Sequence, residues 1–540
     1  MTRWSVLIIL CAAQFIMVLD TTVMNVSVAD VVADLDTSIT QVQLAITLYT
    51  LVMGSFMLLG GRLGDIFGRK RIFGVGLLVY GAGSLITAFS PSLGWLLFGW
   101  SFVEGAGAVL VMPAIISLTA TNYTGKDRAT AYGALGGIAA AGAAAGPLIG
   151  GWVTEALTWR VVFGAETVVC VGVVACLRLI TDGKPDPNRE IDWGGAALSS
   201  LGLGLVVLGL LQAGTWGLFR PTGALTVAGH EITPFGFSVV PFMIAAGLFV
   251  LACFLRWERR RIKGGHKPLM NPALLRRLQL RNGLVMLVAQ QTIIGGVFFV
   301  IPIYLQYVLG HNAFETGIRL APMSIAMLIA AFSGPVLGHK LSPRAIVTSG
   351  LVLVVIGSVI LVSTIEPELN GALFAVGMAI FGAGFGFVAS QLGNVIMSSA
   401  KDSERGEAGG LQGTAQNIGM SVGVAMIGAL LISALGAGFD HAAQSDPAIS
   451  AQTKAVIATE TDDGIDILAR DQLDDVAAAH HVPASEVNAL IDHYVDAQLM
   501  AIKAALLLAI VFAAFGLLIA QRLPRVPGVQ LGTVTGAAAA

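Results

Sequence analysis

Three carboxylic acids stand where a charge is hardest to keep. Asp20, Glu104 and Glu166 each fall inside a long apolar run. A charged side chain at the centre of a bilayer costs at least about 2.5–3.5 kcal/mol on insertion scales, so such residues usually face a cavity and mark a transport path. Desolvation disfavours the ionised form of a carboxyl group, which lets one in a half-wet cavity bind and release a proton near neutral pH. A cationic substrate can compete for the same charge. One site that takes a proton or a substrate, reached from alternate sides, is a physical route to exchange. Each proton moving inward with the membrane potential supplies about 2.3 kcal/mol per 100 mV. The structural reading of the same residues is a carboxylate held by a backbone amide or by Arg160.

Other chemistry is poorly supported. Cys11, Cys170, Cys176 and Cys253 lie in apolar runs without a CxxC spacing, so packing is their expected role. His480, His481 and His493 lack a second ligand pair at zinc spacing, and no metal site is expected. Asp30, Asp34 and Asp36 have the spacing of a magnesium–diphosphate cluster, which raises an intramembrane prenyltransferase-like enzyme as a remote alternative. Against it, the cluster lies on the side poor in basic residues and has no second aspartate cluster. No cofactor, no nucleic-acid partner and no covalent chemistry are expected.

The elements that must position the acids follow from composition. The chain has 540 residues, 55% apolar and only 12% charged, with a mean hydropathy of +0.80. Soluble proteins are about 45–50% apolar and about 25% charged, so this chain cannot cover a water-facing surface. A span needs about 20 mostly apolar residues, all helical because lipid offers backbone groups no partner. Spans are predicted at 5–28, 43–61, 72–89, 93–119, 130–155, 159–180, 193–213, 236–257, 282–308, 316–338, 345–364, 371–398, 407–436 and 496–521. Most Lys and Arg fall on one side of that arrangement, densest at 256–281, which places both termini in the cytoplasm. The segment 437–495 is acidic and is expected outside as a solvated helical hairpin, with helical stretches at 464–479 and 485–500. The tail 522–540 reads as disordered.

Several motifs add to this. Gly61, Asp65, Gly68, Arg69 and Lys70 join the second and third spans, where glycines permit a tight turn and the cations hold the loop in the cytoplasm. A weaker echo follows the tenth span at 334–344. Gly142, Gly146, Pro147, Gly150 and Gly151 mark the fifth span, where proline can bend the helix and glycines allow close packing. Leu19-Asp20-Thr21-Thr22 lies in the first span, Trp159-Arg160 opens the sixth, and Pro302 to Gln306 lies in the second half. Together these segments resemble the major facilitator superfamily, and within it the fourteen-helix drug:proton antiporters. The resemblance covers most of the chain. It departs in the fourth span, where Ser101 and Glu104 stand in place of an Arg and a Gln, and at Glu166, often an Asn.

The resemblance implies an all-α integral membrane protein of the major facilitator fold: two six-helix bundles plus two linking helices. The expected organisation is a first bundle at 1–180, a linking pair with a basic loop at 181–281, and a second bundle at 282–521 carrying the 437–495 insert. It implies proton-coupled efflux of amphipathic or cationic organic compounds by alternating access, an antibiotic-resistance activity in a bacterial plasma (inner) membrane. Export of a lipid or endogenous metabolite is the alternative on the same scaffold. Asp20, Glu104 and Glu166 are the expected coupling residues. Thr22, Asn25, Gln290, Gln291, Tyr304, Gln391 and Asn394 could line a pocket or act as polar glue between helices. The expected partners are a small organic substrate, protons and the bilayer, with a functional monomer.

Overall fold

The computed structural model describes residues 4–123, 125–182, 190–213, 216–219, 221, 225–227, 230–266, 268–338, 340–400, 405–462, 465, 467–480, 482–523 and 525. Most of the tail expected to be disordered, and His481, lie outside these residues. The long helices are α1 Ser5–Val26, α2 Ile39–Phe67, α3 Arg69–Ala88, α4 Leu93–Thr119, α5 Gly125–Ala156, α6 Arg160–Ala175 and α7 Trp193–Leu211. They continue as α8 Val240–Lys263, α9 Leu278–Val308, α10 Ala313–Leu337, α11 Pro343–Ser363, α12 Gly371–Ser398, α13 Arg405–Ser445 and α14 Ala484–Ala520.

Of these, 13 are long and apolar enough to cross a membrane. The other is α6, with 16 residues, about 24 Å at 1.5 Å per residue. A 3-10 turn at Leu177–Leu179 adds about 6 Å, which brings α6 to the thickness of the hydrocarbon core, about 30 Å.

Local sequence fixes many ends. Ser38 accepts from the Gln41 amide at the start of α2, Asp192 from Gly195 at α7, and Asn370 from Leu373 at α12. Asn312 and Glu315 form a reciprocal capping box at α10. Ser342 followed by Pro343 starts α11.

Several expectations are refined. The expected first span, 5–28, is the helix Ser5–Val26; Ser27 ends it, and a short second helix, Val28–Leu35, follows. The Ser27 hydroxyl bonds Thr154 of α5 at 2.8 Å, which ties the break to a neighbour. The loop motif is mostly helical: α2 runs on to Phe67, so Gly61 and Asp65 lie on its last turns. Only Gly68 makes the turn, with φ +97°. A residue with a Cβ is strained in that conformation by about 1–3 kcal/mol. Gly68→Ala should therefore lower the thermal midpoint of the purified protein, and an unchanged midpoint would show that the turn accepts other residues.

The spans are all helical, with one small exception in a linker. Between α7 and α8, β1 (Leu225–Val227) pairs antiparallel with β2 (His230–Ile232), a two-stranded hairpin in the stretch joining the linking helices. The acidic insert is also more structured than a hairpin. α13 and α14 extend into it, and helices Ala451–Asp462 and Arg470–Ala479 lie between them. Ala443, Ile449, Ile457 and Leu490 form a small apolar cluster of their own there. His493 meets Asp446 at 2.8 Å. The Asp446 carboxyl is held below its ordinary range by the Ala448 amide and by His493.

Helices α1 to α6 pack on one another, as do α9 to α14. The two groups meet along α2 with α13 and along α5 with α10. The α2–α13 seam is polar: Gln43 Nε2 donates to Val424 O at 2.9 Å, and Thr50 bonds Ser421 at 2.5 Å. α7 and α8 pack on each other, Gly202 against Leu251, and α7 also leans on α2 and α13.

Candidate functional site

The three acids come from α1, α4 and α6, separated by more than eighty residues of chain at one step and sixty at the next, yet they converge. Asp20, Glu104 and Glu166 each present a carboxylate oxygen within 4.8 Å of the others, and all three are buried. The convergence is made by α3. A Cβ on Gly83 would lie 2.7 Å from Glu104 Cα, and one on Gly81 would lie 3.1 Å from Cys170 Cβ. Only hydrogen at these positions lets α4 and α6 approach α3 closely enough to bring Glu104 and Glu166 together. The Thr167 hydroxyl donates to Gly81 O at 3.0 Å and fixes α6 in that register.

After a first α-helical turn, Leu93–Leu96, α4 widens into a π-helical stretch, Leu97–Glu104, a distortion frequent at functional sites. It sets Trp100 and Glu104 on the same face. Trp100 Nε1 donates to both Asp20 oxygens, at 2.9 and 3.1 Å. Tyr49 of α2 stacks on the Trp100 ring, with centroids 4.8 Å apart and 6° between planes. Tyr80 and Ser84 of α3 stand beside Glu104. Sequence reasoning missed Trp100, Tyr49, Tyr80 and Ser84 as partners. The signal available was Trp100 preceding Glu104, and Tyr80 preceding Ser84, by one helical turn in runs otherwise apolar.

No cation neutralises the cluster among the described residues. Ser101, which occupies the place of the arginine in the resembling family, donates to Ala45 O at 2.8 Å and braces α4 on α2. Arg160 is engaged elsewhere: it pairs with Asp34, donates to Ser90 O at 2.7 Å, and lies 4.5 Å over the Trp159 ring. Asp34 also accepts from Trp159 Nε1 at 2.9 Å, so this aspartate is held in a structural clasp with the start of α6.

Both oxygens of Glu104 and both of Glu166 are buried without a well-formed hydrogen bond among the described residues, although the Ser84 hydroxyl lies beside both acids and that of Tyr80 beside Glu104. Acceptors facing acceptors, at a spacing where unit charges repel by several kcal/mol even at an effective dielectric near 20, need protons between them.

The glycine motif of α5 forms a seam with α1. A Cβ on Gly142 would reach Val18 at 3.2 Å, one on Gly146 would reach Thr22 Cβ at 2.5 Å, and one on Gly150 would reach Val23 at 2.8 Å. Gly151 faces the other way, onto Ala313 of α10, and Pro147 O lies against Gly317 of α10. The motif thus touches both the helix carrying Asp20 and the opposite bundle.

At the other end of α2, Asp65 accepts from Arg69 at 3.1 Å, and Arg69 Nη1 reaches Thr121 at 3.4 Å. Lys70 follows at the surface, half-buried. Gly61 has ordinary contact distance to Pro113, at 3.7 Å. The glycine that needs to be one is its neighbour Gly60, where a Cβ would meet Val109 Cγ1 at 2.9 Å.

The polar residues proposed for a pocket divide. The Thr22 hydroxyl donates to Leu19 O at 2.8 Å and Asn25 Nδ2 to Thr21 O at 2.7 Å, both within α1. Gln391 Nε2 donates to Gly334 O at 3.1 Å across α12 and α10. Tyr304 donates to Glu366 O at 2.7 Å and so braces the turn after α11. Its hydroxyl thus acts as polar glue, one of the two expected roles. Asn25 Oδ1 and Gln290 Oε1 are buried without a donor. Gln291 is half-buried with its Cβ 2.7 Å from where a Cβ on Gly419 would lie, and Asn394 is exposed.

Comparison with known proteins bears on this geometry. Residues 10–229 and 206–424 match the family model described as Major Facilitator Superfamily. A probable actinorhodin transporter of Streptomyces coelicolor is 31% identical over 80% of this chain and 73% of its own length. The puromycin resistance protein pur8 of Streptomyces alboniger is 29% identical over 84% of this chain and 88% of its own. The methyl viologen resistance protein SmvA of Salmonella typhimurium is 26% identical over 79% and 82%. Among solved structures, a bacterial homolog of the human lysosomal transporter Spinster, inward-facing and unoccupied, aligns with a TM-score of 0.61 at 16% identity. That alignment covers 96% of this chain and 97% of the other.

Proposed function

The chain belongs to the major facilitator superfamily of membrane transporters, and on that premise we propose that it exports amphipathic organic compounds, cations among them, in exchange for protons. Relatives named for antibiotic export and drug resistance support the substrate class. The observation that carries the coupling is the buried trio Asp20, Glu104 and Glu166, whose carboxylate oxygens lie close to one another. Protons arriving from the outer side neutralise the trio. Reopening toward the cytoplasm hydrates it, the protons leave, and the uncovered negative charge attracts the next substrate.

The moving parts are the unit 1–180 and the unit 282–521, rocking along the α2–α13 and α5–α10 seams, with 181–281 linking them. The protein works as a monomer in this scheme, because both seams lie within one chain.

The test is proton flux in reconstituted vesicles under an imposed pH gradient, with cations, neutral drugs and lipids offered in turn. Proton movement stimulated by cations supports the proposal. Stimulation by lipids alone would assign the scaffold to lipid export, and substrate movement without proton movement would remove the coupling. Glu104→Gln fixes one member of the trio as neutral. The pH profile of transport should flatten by one group's share, at most about tenfold per pH unit. An unaltered profile would exclude Glu104 from proton binding.

A further inference from the structure

A second buried carboxyl lies far from the trio, at the cytoplasmic end of α8. Glu258 is fully buried although it is flanked by exposed Arg259 and Arg260. Its Oε2 accepts from the backbone amide of Leu269 at 3.0 Å. Its Oε1 has no donor and lies beside Asp192, the residue that caps α7. A Cβ on Gly195 would sit 2.5 Å from Glu258 Oε1 and 2.6 Å from Asp192 Oδ2, which shows how closely the two carboxyls crowd one point. Asp192 also accepts from Trp257 Nε1 at 3.0 Å and pairs with Arg261 at 3.2 Å. Glu190 and His266, 2.8 Å apart at the surface, complete the charged groups around it.

What Glu258 holds is unusual for a linker. The segment 268–274 inserts Leu269, Met270 and Leu274, each nearly or fully buried, into a cytoplasmic apolar cluster. That cluster contains Leu58 of α2 and Leu411 of α13, one from each half of the molecule. The segment's backbone is tied to the same two helices. Arg62 of α2 donates to Pro268 O at 2.6 Å, and the Asn271 amide donates to Glu407 of α13 at 3.1 Å. Arg62 and Glu407 also pair directly, at 3.3 Å.

We infer that segment 268–274 is a plug that holds the cytoplasmic side of the transporter closed, and that the Glu258–Asp192 carboxyl pair is its proton-operated anchor. Two buried carboxyl groups that crowd one point, with one guanidinium beside them, are accommodated when Glu258 carries a proton. Loss of that proton sets two buried negative charges against each other. The Glu258 side chain then shifts, Leu269 loses its acceptor, and the plug is released from α8. The sign is that rising cytosolic pH loosens the closed state. Glu258 is a positioning residue, since it acts through the plug and touches no substrate.

The experiment uses full-length protein in lipid nanodiscs, with Cys11, Cys170, Cys176 and Cys253 replaced and spin labels on Phe67→Cys and Leu341→Cys. These sites are exposed at the cytoplasmic ends of opposite halves. Distances between the labels give the closed and open populations at pH 6 and pH 8. Glu258→Gln keeps an acceptor for Leu269 and supplies Asp192 with a permanent donor, so it mimics the protonated pair. It should match the unsubstituted protein at pH 6 and be several-fold more closed at pH 8. Glu258→Ala removes the anchor and should shift the balance toward open about tenfold at both values. A Gln variant as open as the unsubstituted protein at pH 8, or an Ala variant as closed as the Gln, overturns the inference. The readout is gate position and not drug movement, so either result leaves the efflux proposal to its own test.

Discussion

Asp20→Asn should abolish efflux against a gradient while leaving the protein folded and in the membrane. The fold is preserved because asparagine keeps an oxygen for Trp100 Nε1, which in the native chain donates to both Asp20 oxygens. The Tyr49–Trp100 stack does not depend on the charge. What is lost is the ionisable member contributed by α1. Glu104 and Glu166 remain, but they sit on α4 and α6, so the helix that packs on α5 no longer feels the proton state. Under a potential of 100 mV each coupled proton is worth about 2.3 kcal/mol, close to fiftyfold in accumulation. Active export should therefore fall to the level of downhill exchange, read as the steady-state drug ratio across vesicles. A mutant that still concentrated drug like the native protein would place the coupling elsewhere.

The second large effect is expected at Gly146. A Cβ there would collide with Thr22 of α1, 2.5 Å from its Cβ, and Thr22 stands two residues after Asp20. Extra methylenes in a packed seam cost about 1–3 kcal/mol, and relief by moving α1 would carry Asp20 out of the trio. Gly146→Val should therefore reduce transport at least about tenfold, with Gly164→Val as its control. Gly164 of α6 has open space where its Cβ would be. Removing the obstacle in Thr22→Gly should partly restore the Gly146 variant. Equal losses at Gly146 and Gly164, or no rescue, would show that the seam does not act through its closeness to α1.

Much of this protein was written in its hydropathy. A run of about 20 apolar residues can satisfy its backbone in lipid only as a helix, so the spans were readable. So was the presence of Asp20, Glu104 and Glu166 within the spans. The loop and glycine motifs pointed to the family, because glycine at close crossings has no substitute.

Only the tertiary structure decided which faces meet. Hydropathy is nearly uniform around a membrane helix, so it does not say which way Asp20, Glu104 and Glu166 turn. Their meeting depends on the glycine face of α3, whose contacts to α4 and α6 join residues remote in sequence. The same is true of Gly60, which packs tightly where the neighbouring motif residue Gly61 does not, and of Tyr304, whose hydroxyl is drawn to a turn sixty residues away. Glu258 lies in a basic stretch of sequence, and only the fold buries it near Asp192 and against the backbone of Leu269. Chain length and polarity set what enters the membrane, whereas van der Waals fit between small residues sets the rotation of each helix, and therefore which buried groups touch.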